Sequence, residues 1–129
     1  MSAIIGGATV YAKDLKCVVA FYEEVCGLRL TLREHDFVVL ENGQLQIVIV
    51  EIPEHIARTF EISSPPVRRE DSALKLTFVV ENVAAARVTA CKLGGVIDPK
   101  EKEWEFQGML VCDGHDPEGN VIQVREHAL

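Results

Sequence analysis

The chain has 129 residues, of which 48% are hydrophobic and 26% charged, and its formal net charge is −7. This length suffices for one domain with its own core. A chain with this negative charge does not present the cationic face that nucleic-acid binding requires. No apolar run approaches the roughly 18 residues of a membrane span, and the first residues lack the layout of a secretion signal. We therefore expect a cytoplasmic protein that binds neither nucleic acid nor a membrane.

The first half of the chain predicts the order β-α-β-β-β. "GATVYA" is typical of a short strand, and "KDLKCVVAFYEEVCGLRL" predicts a helix with Asp14 as N-cap and Gly27 as the stop. "LRLTLRE" alternates as a strand does. In "DFVVLENGQLQIVIVEI" the pair Asn42-Gly43 joins two apolar runs and predicts a two-residue hairpin.

The second half repeats this order. "ALKLTFVV" predicts a strand, and "ENVAAARVTACKLGG" predicts a helix that Asn82 caps and that the following glycines end. "VIDP", "FQGMLVCDG" and "NVIQVRE" supply the remaining strands. One fixed offset aligns Asp14-Leu15 with Asn82-Val83 and Gly27-Leu28 with Gly95-Val96, which favours two copies of one unit.

We place the two units at about 4–52 and 73–127 of a single domain, with a linker at 53–72. Residues 53–60 favour a turn of helix, and 63–71 have the composition of an extended linker. A plain crossover between the units is favoured over a mobile flap. The four cysteines show no CxxC spacing, which predicts buried, reduced thiols.

The doubled βαβββ pattern, with "KDL…FYEEVCGLRL" in the first copy and "DPEGNVIQV" closing the second, resembles the vicinal oxygen chelate superfamily. This superfamily includes glyoxalase I, extradiol dioxygenases and the bleomycin-resistance proteins. The resemblance covers nearly the whole chain. It implies an α+β fold in which two βαβββ units form an open, cup-shaped mixed sheet around a ligand cavity, and it implies a homodimer.

The metal enzymes of this superfamily take their ligands from the first and last strands of each unit. Carried over by spacing, these positions fall on Gly7, on Lys75, on Gln123 and, within a run whose register is ambiguous, on Glu51. A glycine offers no donor, and an ammonium repels a cation, whereas divalent metals require imidazole, carboxylate or carbonyl ligands. We therefore predict no cofactor, and the donor set argues against a divalent metal.

The same substitution suggests a different site. An ammonium in the cup is a fixed positive charge that would pair with Glu51 or bind an oxygen of a small ligand. Our hypothesis makes Lys75 the electrostatic anchor and Gln123 an orienting amide. A one-residue error in register, which would turn Lys75 to the other face of its strand, is the competing interpretation.

Other residues are weaker candidates for the ligand site. Thr9 and Tyr11 share the face of Gly7, and Arg125 shares that of Gln123 with His127. Trp104, the single tryptophan, would stack on a flat ligand or pack at a dimer edge. His35 and His115 each adjoin an aspartate, but neighbouring residues on a strand point to opposite faces, so neither pair forms a dyad.

These observations favour a small-molecule-binding protein, with sequestration of a drug or metabolite as one form. Two alternatives remain open. The first is a metal-dependent lyase, isomerase or dioxygenase whose ligands come from other registers, for example Glu51 with His35 or His115. The second is an interaction module whose cup is filled by side chains.

Overall fold

Two sheets, one from each half of the chain, form the framework of the computed structural model, which describes residues 3–127. The first half contains β1 (Gly6–Ala12), α1 (Leu15–Glu24), β2 (Arg29–Arg33), β3 (Phe37–Asn42) and β4 (Leu45–Glu51). A short helix, α2 (Glu54–Ala57), follows. The second half contains β5 (Leu76–Val79), α3 (Val83–Lys92), β6 (Val96–Ile97), a 3-10 turn (Lys100–Lys102), β7 (Trp104–Phe106), β8 (Met109–His115) and β9 (Val121–His127).

The two sheets share one strand order. The first runs β1-β4-β3-β2, and the second runs β5-β9-β8-β6, with β7 also paired to β8. In each sheet the first strand is parallel to the last strand of its unit, and the other pairs are antiparallel. The predicted α+β fold with two βαβββ units is confirmed.

Both long helices begin where the sequence predicts. The Asp14 side chain accepts a hydrogen bond from the backbone N–H of Cys17 (3.1 Å), and Asn82 accepts one from Ala85 (2.7 Å). Each cap satisfies a backbone donor that the first turn of a helix leaves unpaired. Gly27 follows α1 with φ +70°, a left-handed conformation that glycine adopts without steric cost.

Each helix covers one face of its own sheet. α1 buries Phe21 and Tyr22, and α3 buries Val83, Ala86 and Ala90. The alternate residues of the central strands complete this core, among them Ile47, Ile49, Ile122 and Val124. We call the face of each sheet opposite its helix the open face.

The "DPEGN" turn between β8 and β9 joins the two units. The fully buried Asp116 carboxylate accepts hydrogen bonds from the Tyr22 hydroxyl (2.8 Å) and from donors within the turn. Glu118, which is 5% exposed, accepts from the backbone N–H groups of Lys13 (2.8 Å) and Asp14 (2.7 Å). Asp116 therefore binds the second unit to the last turn of α1, and Glu118 binds it to the residues just before that helix.

Two turns differ from the prediction. "FQGMLVCDG" is not one strand, because Gln107 and Gly108 adopt φ +51° and +75° and turn the chain from β7 into β8. Positive φ at both central residues is the requirement of a type I′ hairpin turn. In the β3–β4 hairpin, Asn42 pairs with Leu45, so the loop residues are 43–44 rather than 42–43.

The segment between the units is anchored to the second unit. The helical turn predicted within residues 53–60 is present as α2. Further along, the Arg69 backbone N–H donates to the Gly119 carbonyl (2.9 Å), and Arg68 forms a bidentate ion pair with Asp98. The segment thus packs as a crossover along the second sheet.

The cysteines only partly match the prediction. All four are free thiols, and Cys26 and Cys112 are buried, but Cys91 on α3 is exposed. Burial is the main cause that raises the pKa of the Cys26 and Cys112 thiols. Within residues 3–127, no helix combines the length and apolar character that crossing a membrane demands.

Candidate functional site

A chain of polar side chains crosses the open face of the second sheet. Lys75 Nζ donates to Asp113 Oδ2 (2.9 Å), and Gln123 Nε2 donates to Asp113 Oδ1 (3.1 Å). Arg125 Nε donates to Gln123 Oε1 (2.7 Å). Because the Asp113 carboxylate only accepts, it turns the amide nitrogen of Gln123 toward itself and leaves the amide oxygen for Arg125.

Strand register explains why these residues meet. Gln123 on β9 pairs with Thr77 on β5 and with Asp113 on β8, and paired residues share a face. Lys75 lies one residue before β5, and its bond to Asp113 places its side chain on that face as well. The alternative in which Lys75 turns to the other side of its strand is wrong.

The charge of Lys75 is nevertheless already neutralised. Its partner is Asp113 and not the expected Glu51, and the two side chains are 40% and 25% exposed. An ammonium bound to a carboxylate is a poor anchor for a second anion. The structure therefore corrects the sequence hypothesis, because Lys75 fixes the network instead of offering an unpaired charge.

Arg125 has a different environment. Its guanidinium lies 5.0 Å from the centroid of the Phe106 ring, within the range of a cation–π contact. Besides the bond from Nε to Gln123, no hydrogen bond or ion pair holds it among the described residues. The two terminal nitrogens of the guanidinium thus remain available on the open face.

Apolar side chains flank Arg125. The strand pairing places Trp104, Val111, Arg125 and Val79 in one row across β7, β8, β9 and β5. Trp104 is 41% exposed, Val79 47% and Phe106 45%. The open face here combines one cation with exposed aromatic and aliphatic surface.

Thr9 and Tyr11 lie on the open face of the first sheet. Both are exposed, Tyr11 to 64%, while the alternating residues Val10 and Ala12 are buried against the helix side. Thr9 and Tyr11 line a cavity of about 280 Å³ between the two units, together with Leu74.

Glu51 does not join this group. β1 and β4 pair in register, with Tyr11 opposite Val50 and Glu51 opposite the buried Ala12. Glu51 therefore shares the helix-covered face of its strand, although it is itself exposed at the strand end. The expectation that its carboxylate points into the cup is wrong.

Gly7 has a steric reason to be glycine. A Cβ at this position would collide with the backbone carbonyl oxygen of Gln46 on the paired strand β4, whereas one at Gly6 would meet nothing within 4 Å. The close approach of the two backbones thus excludes any side chain, and with it any metal ligand, at residue 7.

The residues at the superfamily's metal positions do not fit a divalent ion. Gly7 has no side-chain donor, and Lys75 carries a positive charge that is paired with the Asp113 carboxylate. The Gln123 amide nitrogen donates to Asp113, and its amide oxygen accepts from Arg125. Across residues 3–127, no group of three or more His, Cys, Asp or Glu side chains is arranged to hold a metal ion.

A second cavity, of about 270 Å³, adjoins this network. It is lined by Lys75 and Asp113 and shares Ser72, Leu74 and Val121 with the cavity beside Thr9 and Tyr11. Together the two spaces approach the size of common small-molecule sites. The segment 68–75 forms their common wall.

His115 supports this wall. Arg68 Nε donates to His115 Nδ1 (2.9 Å) while its terminal nitrogens bind Asp98 at 2.6 and 3.1 Å. His115 is therefore a neutral imidazole with its proton on Nε2, an atom that is buried without a described partner. Burial, followed by the charge of Arg68, lowers the pKa of His115. His115 thus holds the linker and is not free to bind a metal.

A larger cavity, of about 750 Å³, lies away from this network. It is lined by residues 61–66, by the region around Gly94 and Gly95, and by Lys13. The ammonium of Lys13 is bound to the carbonyl of Phe60 and lies over its ring. We prefer the open face, because there several polar groups converge on one place.

The sequence did not identify Asp113, Phe106, Arg68 or Asp98 as part of the site. For Asp113 a signal was available, because a carboxylate in the middle of the apolar run "MLVCDG" requires a partner. The roles of Phe106 and Arg68 depend on a hairpin and on a crossover that local sequence does not specify.

The paired βαβββ units and their open face define the class of glyoxalase-like proteins. The model of the glyoxalase-like domain family matches residues 7–125, and the chain belongs to this family, within the vicinal oxygen chelate superfamily. No curated protein matches the sequence.

Several solved structures share this fold. One is a glyoxalase/bleomycin resistance protein/dioxygenase family enzyme from Burkholderia phytofirmans PsJN, with 20% identity, a TM-score of 0.66, and coverage of 98% of this chain and 100% of that one. A glyoxalase/bleomycin resistance protein from Albidiferax ferrireducens T118 has 17% identity, a TM-score of 0.65 and coverage of 96% and 98%. A lactoylglutathione lyase from Agrobacterium tumefaciens has 21% identity, a TM-score of 0.57 and coverage of 95% and 92%. These similarities establish the fold.

Proposed function

We propose that the protein binds a small organic molecule on the open face of its second sheet, and that it does so without a divalent metal. The observation that carries this proposal is the network from Lys75 through Asp113 and Gln123 to Arg125, beside two adjoining cavities. Every polar group in this chain is oriented by the next, which is the preorganisation that binding sites use.

A thermal-shift screen with small acids, amides, amines and aromatic compounds tests the proposal. A ligand at a hundred times its dissociation constant should stabilise the protein by roughly 2.7 kcal/mol. The variant Asp113→Asn should lose this stabilisation, because it releases both Lys75 and Gln123. Asp36→Asn is the matched control, since Asp36 is exposed on the other unit.

The two alternatives predict different results. A metal-dependent lyase, isomerase or dioxygenase requires several donor side chains around one ion. Three placements argue against such a site: Glu51 lies on the helix-covered face of its strand, the His35 side chain is 91% exposed, and His115 accepts a hydrogen bond from Arg68. An interaction module with a filled cup would show no shift with any compound.

We extend the proposal to a homodimer in the cytoplasm. Support comes from the exposed apolar side chains beside the open faces, such as Tyr11 (64%) and Leu74 (81%), which a second copy would cover. Light scattering on the purified protein tests the dimer, and a monomer at micromolar concentration would contradict it.

A further inference from the structure

We propose that Arg125 is the anion-recognition group of the open face and that its ligand is a small planar aromatic carboxylate. This inference rests on the proposed function and specifies the class of ligand.

Arg125 is held ready before a ligand arrives. The Gln123 amide oxygen accepts from Arg125 Nε at 2.7 Å, and the centroid of the Phe106 ring lies 5.0 Å from the guanidinium carbon. Gln123 is itself only 7% exposed and is turned by Asp113. The guanidinium thus loses little conformational freedom on binding, and its terminal nitrogens form a planar pair of donors that matches a carboxylate.

The charges on this face favour a single negative charge on the ligand. Lys75 is paired with Asp113 and Arg68 with Asp98, which leaves Arg125 as the cation without a carboxylate partner on the described open face of the second sheet. One unpaired cation in a chain of net charge −7 suits a monoanion better than a dianion such as a phosphate monoester.

The surroundings of Arg125 favour an aromatic body on that carboxylate. Trp104, Phe106 and Val79 are each more than 40% exposed, and Trp104 and Val79 stand in the same cross-strand row as Arg125. A flat apolar ligand would bury these surfaces while its carboxylate reaches the guanidinium.

Trp104 provides the assay, because it is the single tryptophan of the chain. We would titrate the protein with benzoate and follow the fluorescence, using benzamide as the neutral isostere. Benzoate should saturate the signal, and its affinity should fall as salt is raised. Arg125→Met should raise the dissociation constant about tenfold or more. Arg125→Lys keeps the charge but not the planar donors. Its dissociation constant should therefore lie between those of the unchanged protein and Arg125→Met.

Arg33→Met is the matched control, since Arg33 is exposed on β2 of the other unit, and it should leave the titration unchanged. Circular dichroism verifies the fold of each variant, and Arg125→Lys gives the test if Arg125→Met unfolds. Equal affinity for benzamide and benzoate, unchanged affinity in the Arg125 variants, or no benzoate binding would each overturn the ligand class. In those cases the proposed function stands if other compounds give thermal shifts that Asp113→Asn abolishes, and it fails if no compound gives a shift.

Discussion

Removing the hydroxyl of Tyr22 tests whether the turn at residues 116–120 joins the two units. In Tyr22→Phe the ring keeps its packing, but the buried Asp116 carboxylate loses the donor at 2.8 Å. A hydrogen bond to a charged group contributes about 1.5–3 kcal/mol, and Asp116 is 0% exposed. We therefore expect the free energy of unfolding to fall by about 2 kcal/mol.

Urea denaturation followed by circular dichroism measures this loss. With a denaturant dependence of about 2 kcal/mol per molar, the midpoint should move down by about 1 M. Tyr11→Phe is the matched control, because Tyr11 is 64% exposed, and its midpoint should not move. The reasoning is refuted if the two variants have the same midpoint. As a second measurement, Tyr22 should ionise only on unfolding, because burial and then the Asp116 charge raise its pKa well above the usual value.

Three further predictions concern other parts of the molecule. Gly7→Ala should lower the urea midpoint by more than Gly6→Ala, because only residue 7 faces a strand backbone that leaves no room for a Cβ; equal midpoints would contradict this. Cys91 should react with a thiol reagent in the folded protein, while Cys26, which is buried and has a raised pKa, should react only after unfolding; mass spectrometry of the labelled peptides decides the order. The pKa of His115 is lowered in the folded state, so its contribution to stability should be complete above the unfolded pKa of about 6.5 and should be lost as the pH falls through the folded pKa. In His115→Gln the free energy of unfolding should depend less on pH below about 6.5. An unchanged dependence would contradict the lowered pKa of His115.

The local parts of the fold were readable from the sequence because their causes are local. The caps Asp14 and Asn82 and the left-handed Gly27 each act within one helical turn, and the structure confirms all three. The β7–β8 hairpin was missed because its turn residues, Gln107 and Gly108, lack the Asn-Gly or Asp-Gly pair that usually marks such a turn.

The site was harder to predict, because its contacts join distant positions. In β4 both faces carry apolar residues, such as Ile47 and Val48, so alternation alone does not show which face the helix covers and does not place Glu51. The partner of Lys75 lies 38 positions further along the chain, on β8. Only the pairing of three strands brings that ammonium and Asp113 together.

The claim that the open face binds an organic ligand in place of a metal is tested most directly by elemental analysis. The protein would be purified without chelator, dialysed, and measured for nickel, zinc, iron and manganese per chain. We predict far less than one equivalent of any of them, because Gly7, Lys75 and Gln123 supply no free donor set. One tightly held ion per chain, removed by chelator and restored on addition of the metal, would contradict the account.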